Sequence, residues 1–476
     1  MMRWTALLLS LVWSTSIEPV HSAVATPRGG IATVPADTLR NPPLFVNQSK
    51  LPHTIEVSLT AAPVRLMLSP GKVTEAYAYN GSIPGPTLEA HEGDKVIIHF
   101  HNNLPETSTI HWHGLHIPAD MDGSPLHPVP PGGSKDYVFT IDPGTAGTFW
   151  YHPHPDNRTG FQIEKGLYGA IVVRPNHDPL PPLPEKLLIL SDNRFHADGS
   201  IDISAPHSPA AIVDEENGRE GNVMLVNGQV MPRIMIRSGE VQRWRIINAG
   251  AARVYRLAIP GQTFLQVGTD GGLFEHPAEV KEILLANSER VELLVRGTGA
   301  PASATVLRNL PYDRYTPQTR PTEWSRPRDL VTLSYTGQPR IVTPPLPQSL
   351  RAIPVLDTTK VSVRREIVLS QGLINQRVMD MHRVDVSAKL GAFEIWTIQN
   401  VVGMDHPFHL HGYQFQVLDR NGVPERDRRW KDTINVPKHG SVRFIVHFDA
   451  NPGQWMFHCH ILDHEDHGMM GILEIH

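Results

Sequence analysis

One strand pattern occurs three times at intervals of domain length, and it fixes most of what this chain can become. Gly93-Asp94-Lys95-Val96-Ile97-Ile98-His99-Phe100-His101-Asn102 is matched by Gly239-Glu240-Val241-Gln242-Arg243-Trp244-Arg245-Ile246-Ile247-Asn248, and again by Gly391-Ala392-Phe393-Glu394-Ile395-Trp396-Thr397-Ile398-Gln399-Asn400. Each copy alternates apolar and polar residues, the mark of a half-buried strand, and each closes on Asn. A turn residue stands ahead of each copy by a nearly constant interval: Asn80-Gly81, Asn227-Gly228 and Asn375. Three copies make a repeat of domain size. The Pro-rich stretches Pro179–Pro184 and Pro344–Pro347 behave as stiff linkers between the copies. The pattern predicts domains over residues 26–176, 177–342 and 343–476.

Short alternating runs elsewhere, such as Tyr137–Ile141, Val291–Val295 and Val442–Val446, are separated by Gly, Pro and Asp turns, and long helical periodicity is scarce. The expectation is an all-β chain of three consecutive antiparallel sandwiches or barrels. A formal charge of -5 without long runs of one sign gives no electrostatic footprint for nucleic acid or an anionic membrane. Residues 1–25 read as a secretory signal peptide: Arg3, an apolar stretch from Trp4 to Trp13, and a small-residue cut at Ala23-Val24-Ala25. A periplasmic or secreted location without a membrane anchor follows as an expectation. In that oxidising setting the lone Cys459 is either a small buried hydrophobe or a thiolate with a task.

Apart from His99-Phe100-His101, which lies within the first repeat strand and reads as ordinary strand histidines, eight of the 26 His fall in four His-x-His elements: His111-Trp112-His113, His152-Pro153-His154, His409-Leu410-His411 and His458-Cys459-His460. On a strand, residues two apart share a face with Cβ atoms about 6 to 7 Å apart, which suits two imidazoles on one metal or on adjacent metals. One such pair is ordinary, but four, two in the first third and two in the last, are not. Phe149–His154 follows Asp142-Pro143-Gly144 as Trp455–His460 follows Asn451-Pro452-Gly453, so equivalent edges carry equivalent ligands. The middle third continues from Asn248 without a His pair and reads as a metal-free spacer. Packing of the outer domains on each other would bring eight His together, enough for a cluster of about three ions.

A second site is written around Cys459. His406, Cys459, His464 and Met469 supply two imidazoles, a thiolate and a thioether, the set of a blue-copper electron-transfer site with a weak axial Met. Cys459 would face one side of its strand while His458 and His460 face the other, joining the two sites through a few covalent bonds.

These segments, His111-Trp112-His113-Gly114, His152-Pro153-His154, His406–Gly412 and His458–Met469, resemble the four signature segments of the multicopper oxidases. The resemblance spans nearly the whole chain after the leader and implies three cupredoxin-like Greek-key domains. It implies four copper ions: a type 1 copper on His406, Cys459 and His464 with Met469 axial; a type 2 copper on His111 and His409; one type 3 copper on His113, His152 and His460; and another on His154, His411 and His458. It also implies Asp122 and Glu465 as carboxylates that deliver protons to the cluster, with dioxygen as acceptor. A laccase-like enzyme oxidising phenols or aromatic amines is the leading expectation, acting as a monomer. A Cu(I) or Fe(II) oxidase is the rival, although the long Met-rich insert frequent in copper-efflux relatives is absent. Outside enzymology, the alternatives are a metal-free cupredoxin scaffold of the envelope and a pure electron shuttle.

Overall fold

The computed structural model describes residues 38–69, 71–204, 208–315 and 326–476. The leader expected over 1–25 lies outside the described residues. Strands dominate and build six sheets, two for each copy of the sequence repeat. All three predicted repeat strands form, as Lys95–Asn102, Val241–Asn248 and Phe393–Asn400, and each lies inside its sheet.

The sandwiches are not purely antiparallel, as the alternation had suggested. Each repeat strand pairs antiparallel on one side, with Ser134–Thr140, Arg290–Arg296 or Ser441–His447. On the other it pairs parallel, with Thr54–Ser69, Glu185–Asn193 or Val361–Ser370. Between the first strand of each copy and the repeat strand the chain crosses to the facing sheet and returns, which is the Greek-key path and leaves those two strands running the same way.

The recurring Asn residues are explained by hydrogen bonds. Asn102, Asn248 and Asn400 are all fully buried. Asn102 Nδ2 donates to the carbonyls of Glu106, Val129 and Pro130, and its Oδ1 accepts the Leu104 N–H. Asn400 does the same with Met404, Val436 and Pro437, accepting from Val402 N–H. Asn248 grips Arg253 and Leu285 and accepts from Gly250 N–H. Each side chain therefore ties down the loop that leaves its strand. The earlier Asn80, Asn227 and Asn375 sit at φ 49°, 51° and 51°, a left-handed conformation Asn tolerates, and each pairs through backbone and side chain with the first strand of its unit. Replacing Asn400 by Ala strands three buried carbonyls and one N–H. A loss of roughly 3 kcal/mol and on the order of 10 °C in melting temperature is expected, measurable by calorimetry.

Three separate apolar cores fill the sandwiches, centred on Trp112 and Tyr137, on Trp244 and Tyr255, and on Trp396 and Trp455. A fourth cluster, with Trp150, Tyr168, Ile189, Ile247 and Leu462, mixes residues of all three units and holds them together. Three short helices lie near this seam: α1 (Thr159–Glu164), α2 (Pro209–Asn217) and α3 (Leu462–Asp466). Helix α2 starts at Ser208, whose hydroxyl accepts the Ala211 N–H, with Pro209 in the first turn. Among the described residues no helix is long and apolar enough to cross a membrane.

Candidate metal centres

The four His pairs meet between the first and third units. His111–His113 forms a short strand registered against Gly147–His152, so that His111 faces His152 across the ladder. In the third unit His409 faces His458, and Phe408 faces Cys459. Only the first pair lies wholly on a strand. His154, His411 and His460 fall one or two residues beyond strand ends, where the chain turns and all eight rings can converge. All eight are buried. His111 stacks on His411 at 3.9 Å and His113 on His409 at 3.8 Å between centroids, so each stacked pair spans the two units.

Three sets of nitrogens lie within 4.8 Å of one another: His111, His409 and His411; His111, His113 and His152; and His154, His411 and His458. In the last set the Nε2 atoms of His411 and His458 are 3.0 Å apart, and those of His154 and His458 3.4 Å. The rings of His113, His152 and His460 face each other at 5.2 to 5.7 Å.

The hydrogen bonds on the outer side of the cluster set the tautomers. His111 Nδ1 donates to the Asp122 carbonyl (2.9 Å), His409 Nδ1 to the Asp432 carbonyl (2.8 Å), His152 Nδ1 to the Pro153 carbonyl (2.8 Å) and His458 Nδ1 to the Cys459 carbonyl (3.0 Å). His411 Nδ1 donates to Asp122 Oδ2 at 2.8 Å. With Nδ1 carrying the proton, each Nε2 presents a lone pair inward. The Nε2 atoms of His111, His152 and His409, and both ring nitrogens of His460, are buried without a hydrogen-bond partner. Unpartnered buried nitrogens on anchored rings are the donor set a metal requires.

Electrostatics agree. Burial, reinforced by neighbouring imidazoles, pushes His113, His152, His409 and His411 well below the ordinary histidine range, His154 to about 4 and His460 to about 3, so they are neutral at pH 7, the form in which an imidazole can bind a metal. His111 differs, since burial is outweighed by the Asp122 carboxylate and its value rises.

Both predicted carboxylates touch this cluster. Asp122 is 1% exposed and bridges the units, with Oδ2 on His411 and Oδ1 3.3 Å from His111 Nδ1. Gly123 beside it has φ 79°, and a Cβ there would fall 1.6 Å from the Ile110 carbonyl, so the loop can approach only as glycine. Glu465, fully buried on α3, lies 3.3 Å from His154 Nε2 and 3.2 Å from His458 Nδ1. Burial would raise it, but His154, His458 and His460 together hold it well below the usual carboxylate range.

The structure brings together three of the four residues read as the second site. The ligand atoms of His406, Cys459 and His464 lie within 4.8 Å of one another, with Cys459 Sγ 3.7 Å from His464 Nδ1. Helix α3 brings His464 back over Cys459, and the buried Met469 receives the Cys459 N–H on its carbonyl at 3.1 Å. Both nitrogens of His406 are buried and unpartnered. Burial raises the Cys459 thiol to about 12 and lowers His464 to about 4. His464 Nε2 donates to the Glu216 carbonyl at 3.2 Å, which leaves Nδ1 for the metal. A cavity of about 390 Å³ opens beside this site, lined by His406, His464, His467, Glu215, Glu216 and Met404 among others. His467 lies there, at the cavity rim. Asp405, by contrast, is 2% exposed and takes hydrogen bonds from Tyr312, Asn435 and the Lys438 N–H, so it fastens loops and does not face the cavity.

Sequence reasoning missed Glu216, which reaches the second site from the unit read as a spacer, and Asp432 of the third unit, which reaches the cluster. Glu216 caps His464 from α2. Asp432 Oδ1 lies 3.2 Å from His113 Nε2, and Asp432 is ion-paired to Arg290 of the middle unit. No local spacing announces contacts between residues 142 to 248 positions apart.

Three consecutive β-sandwiches with a buried His406-Cys459-His464 group and an eight-imidazole cluster at the seam of the outer two define a copper-oxidase architecture. Family models described as multicopper oxidase match residues 63–178, 148–309 and 346–476. The chain is 33% identical over 409 residues to the multicopper oxidase mco of Staphylococcus haemolyticus, covering 83% of each chain. It is 31% identical to the cell division protein FtsP of Photorhabdus laumondii, over 84% of this chain and 85% of that one. A multicopper oxidase from Campylobacter jejuni, described as a metallo-oxidase, superposes with a TM-score of 0.84 at 35% identity, covering 92% of this chain and 95% of the other. The chain belongs to the multicopper oxidase family.

Proposed function

We propose that the protein is an exported multicopper oxidase that takes single electrons from a small donor and reduces dioxygen to water. The observation that carries this reading is the set of anchored imidazoles whose inward nitrogens are buried without partners, beside a buried Cys-His₂ set. His406, Cys459, His464 and Met469 would hold the type 1 copper; His111 and His409 the type 2; His113, His152 and His460 one type 3; and His154, His411 and His458 the other. Copper bound there supplies one-electron acceptance at the first site and four-electron reduction of dioxygen at the second.

Each remaining role belongs to the chain's own residues. Cys459 is bonded through its peptide neighbours to His458 and His460, so an electron leaves the first site along a few covalent bonds. Asp122 Oδ2 and the Glu465 carboxylate stand within hydrogen-bond reach of imidazoles on two sides of the cluster and bring the protons that water formation consumes. A metal-free scaffold, the reading the FtsP likeness brings to mind, leaves the buried unpartnered nitrogens at the cluster without a use.

For the donor, the sequence put phenols and aromatic amines first, and the cavity favours a small metal cation. His464 presents no free edge, since Glu216 covers its Nε2. At the rim, His467 Nδ1 donates to the Asp463 carbonyl, which leaves Nε2 as a lone pair 3.4 Å from Glu215 Oε1. An imidazole nitrogen and a carboxylate so placed suit Cu(I) or Fe(II) better than a neutral phenol. Dioxygen uptake by the copper-loaded protein, run with a stabilised Cu(I) complex and with a dimethoxyphenol, tests both levels. Faster turnover of Cu(I) is expected, with the Glu215→Gln/Glu216→Gln double variant raising KM for Cu(I) roughly tenfold and leaving the phenol unchanged. Preference for the phenol would return the donor to the laccase class. Absence of uptake with either donor would overturn the oxidase.

A further inference from the structure

The middle unit carries no histidine pair, yet it grips the cluster at one point. Arg290 opens the strand Arg290–Arg296 with a fully buried guanidinium. Its Nη1 donates to Asp432 Oδ1 at 2.8 Å and its Nη2 to Asp432 Oδ2, a two-pronged pair. Nη1 also donates to the Ser288 carbonyl (2.7 Å) and Nε to the Thr148 carbonyl (3.2 Å). Asp432 belongs to the third unit, and its Oδ1 lies 3.2 Å from His113 Nε2 of the first. Its backbone carbonyl accepts His409 Nδ1–H. One aspartate thus touches an imidazole from each outer unit while an arginine from the middle unit holds both of its oxygens.

The surroundings are built to keep that pair. Asp270 Oδ1 accepts the Arg290 N–H at 2.8 Å, and its Oδ2 lies 3.0 Å from Lys431 Nζ, which reaches Glu289 at 2.8 Å. Gly114, directly after His111-Trp112-His113, has φ 88°, and a Cβ there would lie 2.6 Å from both Arg290 Nη2 and Asp432 Oδ2. The last letter of the first His segment makes room for the ion pair. A buried ion pair seldom adds net stability over apolar side chains of the same size, so its value here is geometric. His113 Nε2–H is directed at Asp432 Oδ1, which leaves Nδ1 as an acceptor with the Ser288 hydroxyl 3.5 Å away, and His409 is fixed with Nε2 inward.

Building on the copper reading above, we propose that the Arg290–Asp432 pair is a positioning device that sets the tautomer and orientation of His113 and His409. The middle unit is then a condition for filling the cluster and more than a spacer. The test uses full-length protein with Arg290→Gln, Arg290→Lys and, as a structural control, Arg243→Gln, which breaks the buried pair of Arg243 with Glu292 in the same unit. Copper per chain, the type 1 visible band, the type 2 electron paramagnetic resonance signal and the melting temperature are read together. Arg290→Gln is expected to keep the type 1 band while losing one copper ion relative to wild type, with the type 2 signal lost or its hyperfine splitting changed. Arg290→Lys restores the charge with one prong and should recover part of that signal. Arg243→Gln should lower the melting temperature and leave the type 2 signal in place. A full copper complement with an unchanged type 2 signal in Arg290→Gln overturns the proposal, as does loss of both copper types in equal proportion. Wild-type protein that takes up no copper would instead bring down the oxidase reading itself.

Discussion

Cys459→Ser is expected to abolish the blue absorption of the loaded protein and to lower oxidase turnover roughly a thousandfold or more. The sulfur is fully buried, 3.7 Å from His464 Nδ1, and receives the Ile461 N–H at 3.5 Å. A serine hydroxyl fits that space and can take the same N–H, so the fold should survive. It cannot supply a soft thiolate, and the hard oxygen that replaces it is a poor partner for Cu(I). The eight-imidazole cluster is untouched, so copper analysis should show a loss of about one ion per chain. The discriminating readout is dioxygen uptake. A serine variant that keeps more than about a tenth of wild-type turnover would mean that electrons enter the cluster by another route.

Acidification of the copper-free protein should weaken it between about pH 6.5 and pH 4. His154 and His464 titrate near 4 in the fold because burial penalises their charged form, against 6.5 when exposed. Within that window the unfolded chain binds the extra protons, so stability falls as pH falls, by roughly 3 kcal/mol for each histidine. His460, at about 3, adds to this, and Glu465, held low by imidazoles, has the same sign. Asp463, Asp270, Asp466 and Glu164 oppose it. Burial lifts Asp463 and Asp270 to about 6, Glu164 to about 7 and Asp466 well above the carboxylate range, so their contribution is present at low pH and is lost as pH rises. The histidines that burial holds low at the two sites outnumber these acids, and melting temperature measured from pH 7 to pH 4 should fall. A rise on acidification would show that the buried carboxyls dominate. In the loaded protein the same protons compete for imidazole lone pairs, so copper should leave over the same range.

Much of the site was legible because it is written at short range. Two imidazoles at i and i+2, and a Cys followed by His and Met at five-residue steps, need only a strand end and one tight loop, here α3, to become a donor set. The Asn-ended strands were legible for the same reason, since Asn400 fastens a loop that leaves its own strand. Pairing direction was not. Alternation marks a half-buried strand whichever way its neighbour runs, so the parallel contact of Thr54–Ser69 with Lys95–Asn102 left no local trace. Asp432, Arg290 and Glu216 were invisible because their significance lies wholly in partners far along the chain. Each looks like an ordinary charged residue beside a turn or strand.

Helix α2 has a consequence for how the donor range of such a chain can change. The His406, Cys459 and His464 side chains come from the third unit, whereas part of the cavity wall beside them, with Glu215 and the Glu216 carbonyl over His464, comes from the middle one. The helix is short and separate from the sheets. It behaves as an exchangeable faceplate: its length and charges can be rewritten without disturbing Cys459, His406 or Met469. On the copper reading, part of the donor-facing wall is therefore carried by a different stretch of the polypeptide from the redox machinery and can vary on its own, one as a fitting and the other as the fixed engine behind it.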